Sequence, residues 1–556
     1  MALRPASLAT ALLLLANNAP AALFKVGDTV QDGCDFPSIQ DAIDAAAANG
    51  SAMDTIRVSN SGSYSSQALQ IGDQSVFIVG GFDSCTSGQI AAPADIGGDG
   101  VATVIRIAPL ESTAQRVILS GLHIHGGGTW GYSAPSGGGI YVTNNVLLTI
   151  TDSLIDQNAG ISGGGIYIDG DHGIAQVVLD RGTQIRDNLA VYYGGGVNLT
   201  GGGLYVLADG VLIDGNQAAA GGGGIAATNG LVSVGNPDAR PGKSDAIGAT
   251  ISNNHTSGIG GGLLLYGPSA LLYANELIVD GNSANGGGGG IAAGANAYVS
   301  MARDYPAAAI QCPAWRECSR ISNNTVGAGE AGTHGGALAL SSGARADIAQ
   351  TILRGNSAQD GSVAYVDAAS LYFESVLATA NQSFDVDGGT GATIRTRFLG
   401  AENAVKLRIA WSTFAANREK STQGQNADAI DVIAQQYTQL SIYSTTFYDS
   451  YYPIVGYSAY TDDCVVEGTG GIEGHGSHTR LLTDAGDAFN NAAAGDFRLR
   501  SASPLNDYCD ASAFAPAYRD IVLTPRCHDD PRKPNGYGAC DVGAYESDHL
   551  FGDGFQ

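Results

Sequence analysis

Eight times in this sequence an apolar residue is followed three positions later by asparagine: Ile155/Asn158, Ile185/Asn188, Ile213/Asn216, Ile251/Asn254, Val279/Asn282, Ile321/Asn324, Leu353/Asn356 and Phe414/Asn417. In most copies a new apolar residue comes 8 or 9 positions after the asparagine, and glycines stand directly before it. These runs are Gly137–Gly139, Gly163–Gly165, Gly194–Gly196, Gly222–Gly224, Gly260–Gly262 and Gly288–Gly290, with Gly335-Gly336-Ala337 as a variant. The period is mostly 25 to 38 residues, with one step of 42. A fixed local spacing inside a variable period defines one structural unit carrying loops of different length.

The unit reads as β-strand. Ile166 and Ile168 flank Tyr167, and Leu148 and Ile150 flank Thr149, an alternation of period two. No long 3.6-residue pattern crosses the repeat region. Each period holds about three short strands and their turns, too little to bury a core alone. Such units are stable only when stacked, which predicts an all-β chain: a right-handed parallel β-helix with an N-terminal capping helix and an irregular C-terminal cap. Both Gly and Asn suit turn positions with positive φ. Asparagines stacked at equivalent positions also hydrogen-bond to one another along the stack. These asparagines are therefore expected to be structural. No helix pattern comes after the glycine runs and no GxxxxGK[ST] is present, so they do not cradle phosphate.

That frame sets the organisation of the chain. Residues 1–21 read as a signal peptide: Arg4, an apolar stretch from Leu8 to Ala16, and Ala19-Pro20-Ala21 as the small-x-small cleavage site. Residues 22–116 form the N-terminal cap and first coils, where Phe36 to Gly50 predicts a short helix. Its Ser38/Asp41 pair is a capping signal, and Ile39, Ile43 and Ala46 make one stripe that can plug the open end. Repeats fill 117–450. The late ones lose the glycines, but Leu407, Ile409, Phe414 and Asn417 map onto Leu440, Ile442, Phe447 and Ser450 with a constant offset of 33. Residues 451–546 are turn-rich and expected to cap the C-terminal end, leaving 547–556 as a tail.

Net charge is −26 over 556 residues, which excludes nucleic acid as a partner, because phosphate binding needs a basic surface. No stretch approaches a membrane span, and the calcium-binding nonapeptide is missing. Eight cysteines fit an oxidising, extracellular or cell-surface location. None forms a CxxC pair, so neither a metal nor another cofactor is expected. Cys34 with Cys85 can tie the N-terminal end, and Cys312 with Cys318 can close a loop. The pairing of Cys464, Cys509, Cys527 and Cys540 stays open.

Several motifs carry resemblances. Phe414-Ala415-Ala416-Asn417 and Gly335-Gly336-Ala337-Leu338 resemble the FxxN and GGA[IL] signatures of polymorphic outer-membrane protein repeats. The opening from Ser38 to Tyr64 is similar to the entry segment of pectin-lyase-like β-helix proteins. "SPLND" (Ser503–Asp507) and "CDVGAYE" (Cys540–Glu546) resemble the end of bacterial choice-of-anchor β-helix proteins. These resemblances imply a β-helix and export. In the polymorphic family the repeats form an adhesin-like passenger before an outer-membrane barrel, and no barrel comes after the repeats here. Activity varies among β-helix proteins and does not come with the fold.

The sequence supports two readings of function. The first is an adhesin-like or glycan-binding monomer whose partner is a polysaccharide or a host or cell-surface ligand. Its candidate contact residues are Tyr443, Tyr448, Tyr451 and Tyr452, part of a tyrosine cluster from Tyr437 to Tyr460, because tyrosine beside Asp suits sugar stacking. The second is an extracellular polysaccharide lyase or glycoside hydrolase. Asp462-Asp463-Cys464 and Gly474-His475-Gly476 resemble the DDC and GHG pair of polygalacturonases, which implies Asp462, Asp463 and His475 as catalytic groups. The two motifs are closer here than a full coil, and the family's Asn-Thr-Asp and Arg-Ile-Lys motifs are missing. No Ser or Cys triad is present. His123 and His125 share one strand face without a third ligand near them in sequence, which predicts a solvated pair.

Overall fold

The structure is a computed structural model. It describes residues 20–547 except 51–52, 89–91, 111–112, 144, 172, 207–209, 236–248, 302–318, 328–332, 385–390, 399–404, 420–427, 433–437, 449–453, 456–460, 469–477, 479, 483–486, 511–518, 523, 530 and 532. Residues 1–19 of the expected signal peptide, Cys312, Cys318, Ser450, Tyr451, Tyr452 and His475 therefore lie outside the described residues.

The chain is a parallel β-helix. One coil shows the plan: Val146–Thr151 on a first face, Leu154–Asp156 on a second, the two-residue strand Ala159–Gly160 on a third, and Ile166–Gly170 on a fourth. The next strand, Ala175–Leu179, lies directly on Val146–Thr151 and pairs with it in parallel. Repetition builds sheets of 15, 15, 9 and 13 strands among the described residues. Alternation decides what lies inside. Leu148, Ile150, Ile155, Ile166 and Ile168 are fully buried in one apolar column, while Thr149 and Tyr167 face outward. That column runs unbroken from Val26 to Val465. Burying each such side chain contributes about 1.5–3 kcal/mol, which no single coil gathers in sufficient number.

The corner between the second and third faces corrects one expectation. The residue in left-handed conformation is not the repeat asparagine but the one before it: Gln157, Asp187, Gly215, Asn253, Gly281, Asn323, Gly355, Ala380 and Ala416, with φ from 52 to 68°. This turn aims the asparagine inward and under its counterpart. Asn158, Asn188, Asn216, Asn254, Asn282, Asn324, Asn356, Asn381 and Asn417 form one buried column. Each Nδ2 donates to the next Oδ1 at 2.8–3.1 Å. The backbone N–H of each donates to that same oxygen. The second amide hydrogen goes to a carbonyl of the preceding coil, as from Asn282 to Ile251 at 2.9 Å. Asn381 joins the column without the sequence signal: the residue three before it is the small Ala378, and no glycine triplet comes after it.

The triplets have a different task at the next corner. Only the first glycine requires positive φ, as at Gly163 (62°). The other two lie flat under the next coil: a Cβ on Gly165 would sit 2.7 Å from the Gly196 carbonyl and 3.0 Å from Asn188 Nδ2. The glycines thus let the coils close onto the asparagine column.

At the N-terminal end, the helix Ile39–Asn49 buries Ile39, Ala42, Ile43 and Ala46 against the first coil. Ser38 Oγ accepts from the Asp41 N–H at 3.3 Å, and a disulfide joins Cys34 to Cys85. At the other end, coils continue past residue 450, beyond the expected limit of the repeats. Thr461–Asp463 pairs with Ser441–Tyr443, Val466–Glu467 with Thr446–Phe447, and Arg480–Leu481 with Val466–Glu467. The C-terminal segment does more than close the end. From Phe489 onward the chain builds a second core cluster with Ile352, Leu377, Trp411 and Ala415 of the solenoid. It straps the corner between the first and second faces over several coils. Gly543 N–H donates to the Ser444 carbonyl at 2.9 Å, Ala544 N–H to Thr413 Oγ1 at 2.9 Å, and Gln350 Nε2 to the Arg519 carbonyl at 3.4 Å. The segments Ser503–Asp507 and Cys540–Glu546 meet in this strap, where Asp507 N–H donates to Asp541 Oδ1 at 2.7 Å. Disulfides Cys464–Cys509 and Cys527–Cys540 hold it.

Candidate functional site

The adjacent acids Asp462 and Asp463 lie on one strand, so they point to opposite sides of it. Asp462 stacks beneath Ile442, which is fully buried, and Asp463 beneath Tyr443, which faces outward. They do not converge, and His475 lies outside the described residues. Asp463 instead pairs with a different histidine: its Oδ1 is 2.8 Å from His478 Nδ1. The His478 ring rests 3.9 Å from that of Tyr537. A Cys464 thiolate could complete a metal-binding trio with Asp463 and His478, but its sulfur is spent in the disulfide to Cys509.

The partner of Asp462 is Glu467. It stacks beneath the buried Phe447 and is itself buried, so the last coil turns two carboxyl groups into the end of the apolar column. Burial, and then the charge of Asp462, push the Glu467 carboxyl up to about 8. The native fold therefore holds this proton from about pH 4.5 to 8 while the unfolded chain has lost it. Stability drawn from the protonated group is complete below about pH 4.5 and is lost as pH rises through 8. Glu467→Gln should remove that slope and stabilise the protein at pH 8.5 by on the order of 3 kcal/mol. Denaturation midpoints measured from pH 5 to 9 check it.

Tyr443 and Tyr448 are not open platforms. Both are half-buried against the strap cluster, and Tyr448 meets Phe489 edge-on at 5.8 Å. They hold the strap to the solenoid. Other tyrosines stand on the outer side of the first face, where Tyr273 is exposed and Tyr205, Tyr298 and Tyr372 are partly exposed. Tyr205, Ser233, Tyr273, Ser300, Asp347 and Tyr372 succeed one another in register across successive coils. Tyr298 stands in the neighbouring column, 5.9 Å from Tyr273. Tyr298 donates to Asp347 Oδ2 at 2.7 Å, while Arg345 forks onto both oxygens of Asp347 at 2.8 and 2.7 Å. The Arg345 guanidinium lies 4.7 Å from the Tyr372 ring and 5.7 Å from that of Tyr298. Burial and the Asp347 hydrogen bond raise the Tyr298 phenol above its ordinary value, so the hydroxyl stays a donor. The result is a stripe of rings, Tyr273 and Tyr298 edge to face, with a fixed charged pair inside it. Sequence reasoning missed it because insertions of unequal length separate these residues. The strand parity of Leu272-Tyr273-Ala274 and Leu371-Tyr372-Phe373 was the available signal.

His123 and His125, expected as a solvated pair, have carboxylate neighbours that the coil register supplies: Asp95 from the coil before and Asp156 from the coil after. Among the described residues, no helix is long and apolar enough to cross a membrane. No protein-family model matches this sequence, and no curated protein matches it.

Proposed function

We propose that this protein is an exported, extracellular or cell-surface β-helix that binds a glycan along the outer side of its first face. The observation that carries this reading is the stripe Tyr273, Tyr298, Arg345, Asp347 and Tyr372. Aromatic faces stack on the apolar faces of sugar rings, and a fixed Arg–Asp pair offers donors and acceptors to their hydroxyls. The signal-like N-terminus, the disulfides and the resemblances to polymorphic outer-membrane protein repeats, pectin-lyase-like proteins and choice-of-anchor ends support an exported adhesin-like role. A glycan array on the mature chain, followed by calorimetry with the strongest hit, tests the reading. Tyr298→Ala/Tyr372→Ala should weaken binding by about 30-fold, roughly 1 kcal/mol per stacked ring. Tyr443→Ala should lower stability and leave affinity unchanged. No glycan binding, or binding indifferent to the Tyr298/Tyr372 pair, refutes it.

A second reading, a polysaccharide lyase or glycoside hydrolase, is favoured by one observation: a carboxyl pushed up to about 8 beside a second acid, Glu467 with Asp462, is the division of labour acid–base cleavage uses. Depolymerisation of a bound polysaccharide that disappears in Glu467→Gln would support it.

A further inference from the structure

We propose that the outer surface of the early coils carries a site for a divalent first-row metal ion of the Zn²⁺ class, ligated by Asp95, His123 and His125 and braced by Asp156. The β-helix frame brings the four together. Asp95 pairs with His123 across adjacent coils, and His125 pairs with Asp156 across the next. Ile96, Leu122, Ile124 and Ile155 between them are fully buried, so alternation turns all four polar side chains outward on the second face.

The hydrogen-bond pattern points to a cation. Asp156 has a side chain only 4% exposed, and its Oδ1 lies 2.8 Å from His123 Nε2. An ionised carboxylate only accepts, so His123 Nε2 carries the hydrogen. With Nε2 as the donor, the second nitrogen of the ring, Nδ1, presents a lone pair. It faces Asp95 Oδ1 at 3.0 Å, which is also a lone-pair donor. His125 Nε2 approaches the same oxygen at 2.9 Å, yet it is buried and makes no hydrogen bond. Proximity and bonding disagree there, and the bonding geometry decides: the contact is close but not aligned. A proton between His123 and Asp95 would satisfy one of these contacts and leave His125 Nε2 as it is. A metal ion satisfies all three.

The donor set and spacing suit such an ion. The three ligand atoms lie within 4.8 Å of one another. Tetrahedral Zn²⁺, with bonds near 2.0–2.2 Å, holds its ligands about 3.3 Å apart, so the two nitrogen–oxygen separations at Asp95, 3.0 and 2.9 Å, need to open by only a few tenths of an ångström. Asp95, with a side chain 72% exposed, is free to swing that far. Gly97 leaves room for the His125 ring, because a Cβ there would meet its Cε1 and Nε2 at 3.3 and 3.4 Å. Imidazole nitrogens with one carboxylate select Zn²⁺, Cu²⁺ or Ni²⁺ over Mg²⁺ or Ca²⁺. The carboxylate on the far side of His123 is the outer partner that orients metal-bound histidines.

Calorimetry with Zn²⁺ alone, on the mature chain in excess Mg²⁺, tests the site. One equivalent should bind, with a matching rise in melting temperature. His125→Ala and His123→Gln should each abolish uptake while circular dichroism without metal stays unchanged. Asp156→Asn should weaken binding 10- to 100-fold, as loss of such outer partners does. Substituting the remote His255→Ala should change nothing. Failure of the wild-type chain to bind Zn²⁺, Cu²⁺ or Ni²⁺, or uptake that persists in folded His125→Ala, overturns the proposal.

Discussion

Asn282→Ala should destabilise the solenoid by about 3–5 kcal/mol, although it removes no charge and only a few atoms. Asn282 is fully buried. Its Oδ1 accepts from both the backbone N–H and the Nδ2 of Asn254, at 3.0 and 2.9 Å. Its own Nδ2 donates to the Ile251 carbonyl and to Asn324 Oδ1. Truncation strands two donors and weakens two acceptors where no solvent reaches, and each buried unsatisfied group costs about 1–3 kcal/mol. A cavity adds to this. Coils interact with their neighbours only, so hydrogen exchange should accelerate first at Asn254, Asn282 and Asn324 and leave the coils near Val76 protected. An unchanged exchange pattern would mean that the column does not hold the coils.

Arg526→Ala should release the strap at a comparable cost, about 3–5 kcal/mol, the range for removing one partner of a buried charged pair. Arg526 Nη2 donates to Ser375 Oγ at 2.9 Å, to the Trp411 carbonyl at 3.3 Å and to the Gly543 and Ala544 carbonyls at 3.0 and 3.1 Å. Its guanidinium lies 5.0 Å from the Trp411 ring. Glu546, with Oε2 3.7 Å from Nη1, loses its nearest cation. Burial and Asp541 already push the Glu546 carboxyl up, and burial holds Asp520 at about 6 despite Arg526. Without the arginine, ionising these acids at pH 8 costs more, and protonating them at pH 5 relieves the loss. The defect should therefore be larger at pH 8 than at pH 5. Limited proteolysis of residues 487–547, with the solenoid still intact, reads it directly.

Most of the fold was legible because the sequence repeats its own constraints. Alternation at Ile166–Ile168 and the asparagine spacing each hold in coil after coil, and stacking leaves few other ways to bury them. The helix at Ile39 was legible from its cap and stripe. What escaped depends on register. Asn381 lost its glycine signal, and the left-handed residue is one position before each asparagine because only that geometry aims the amide along the column. The strap reads in sequence as an end cap because its partners, Gln350, Ser375, Trp411 and Ser444, are far apart along the chain and meet only as equivalent turn residues of successive coils. The same reason hid Asp95 and Asp156 from His123. It also set Tyr443 and Tyr448 under the strap rather than in solvent, and divided Asp462 from Asp463 by a strand's two faces.

The stacked architecture depends on coil register, and a cysteine pair tests that most directly. Thr250 and Ile278 are direct neighbours on adjacent coils of the second face, and both point outward. Neighbours across paired strands lie within the span a disulfide bridges, about 4.4–6.8 Å between Cα atoms, whereas a two-residue offset lies about 7–8 Å away. Thr250→Cys/Ile278→Cys should close under mild oxidation, as read by peptide mass mapping, and Thr250→Cys/Asp280→Cys should not. Closure of the offset pair instead, or of neither, would contradict the stacked parallel β-helix.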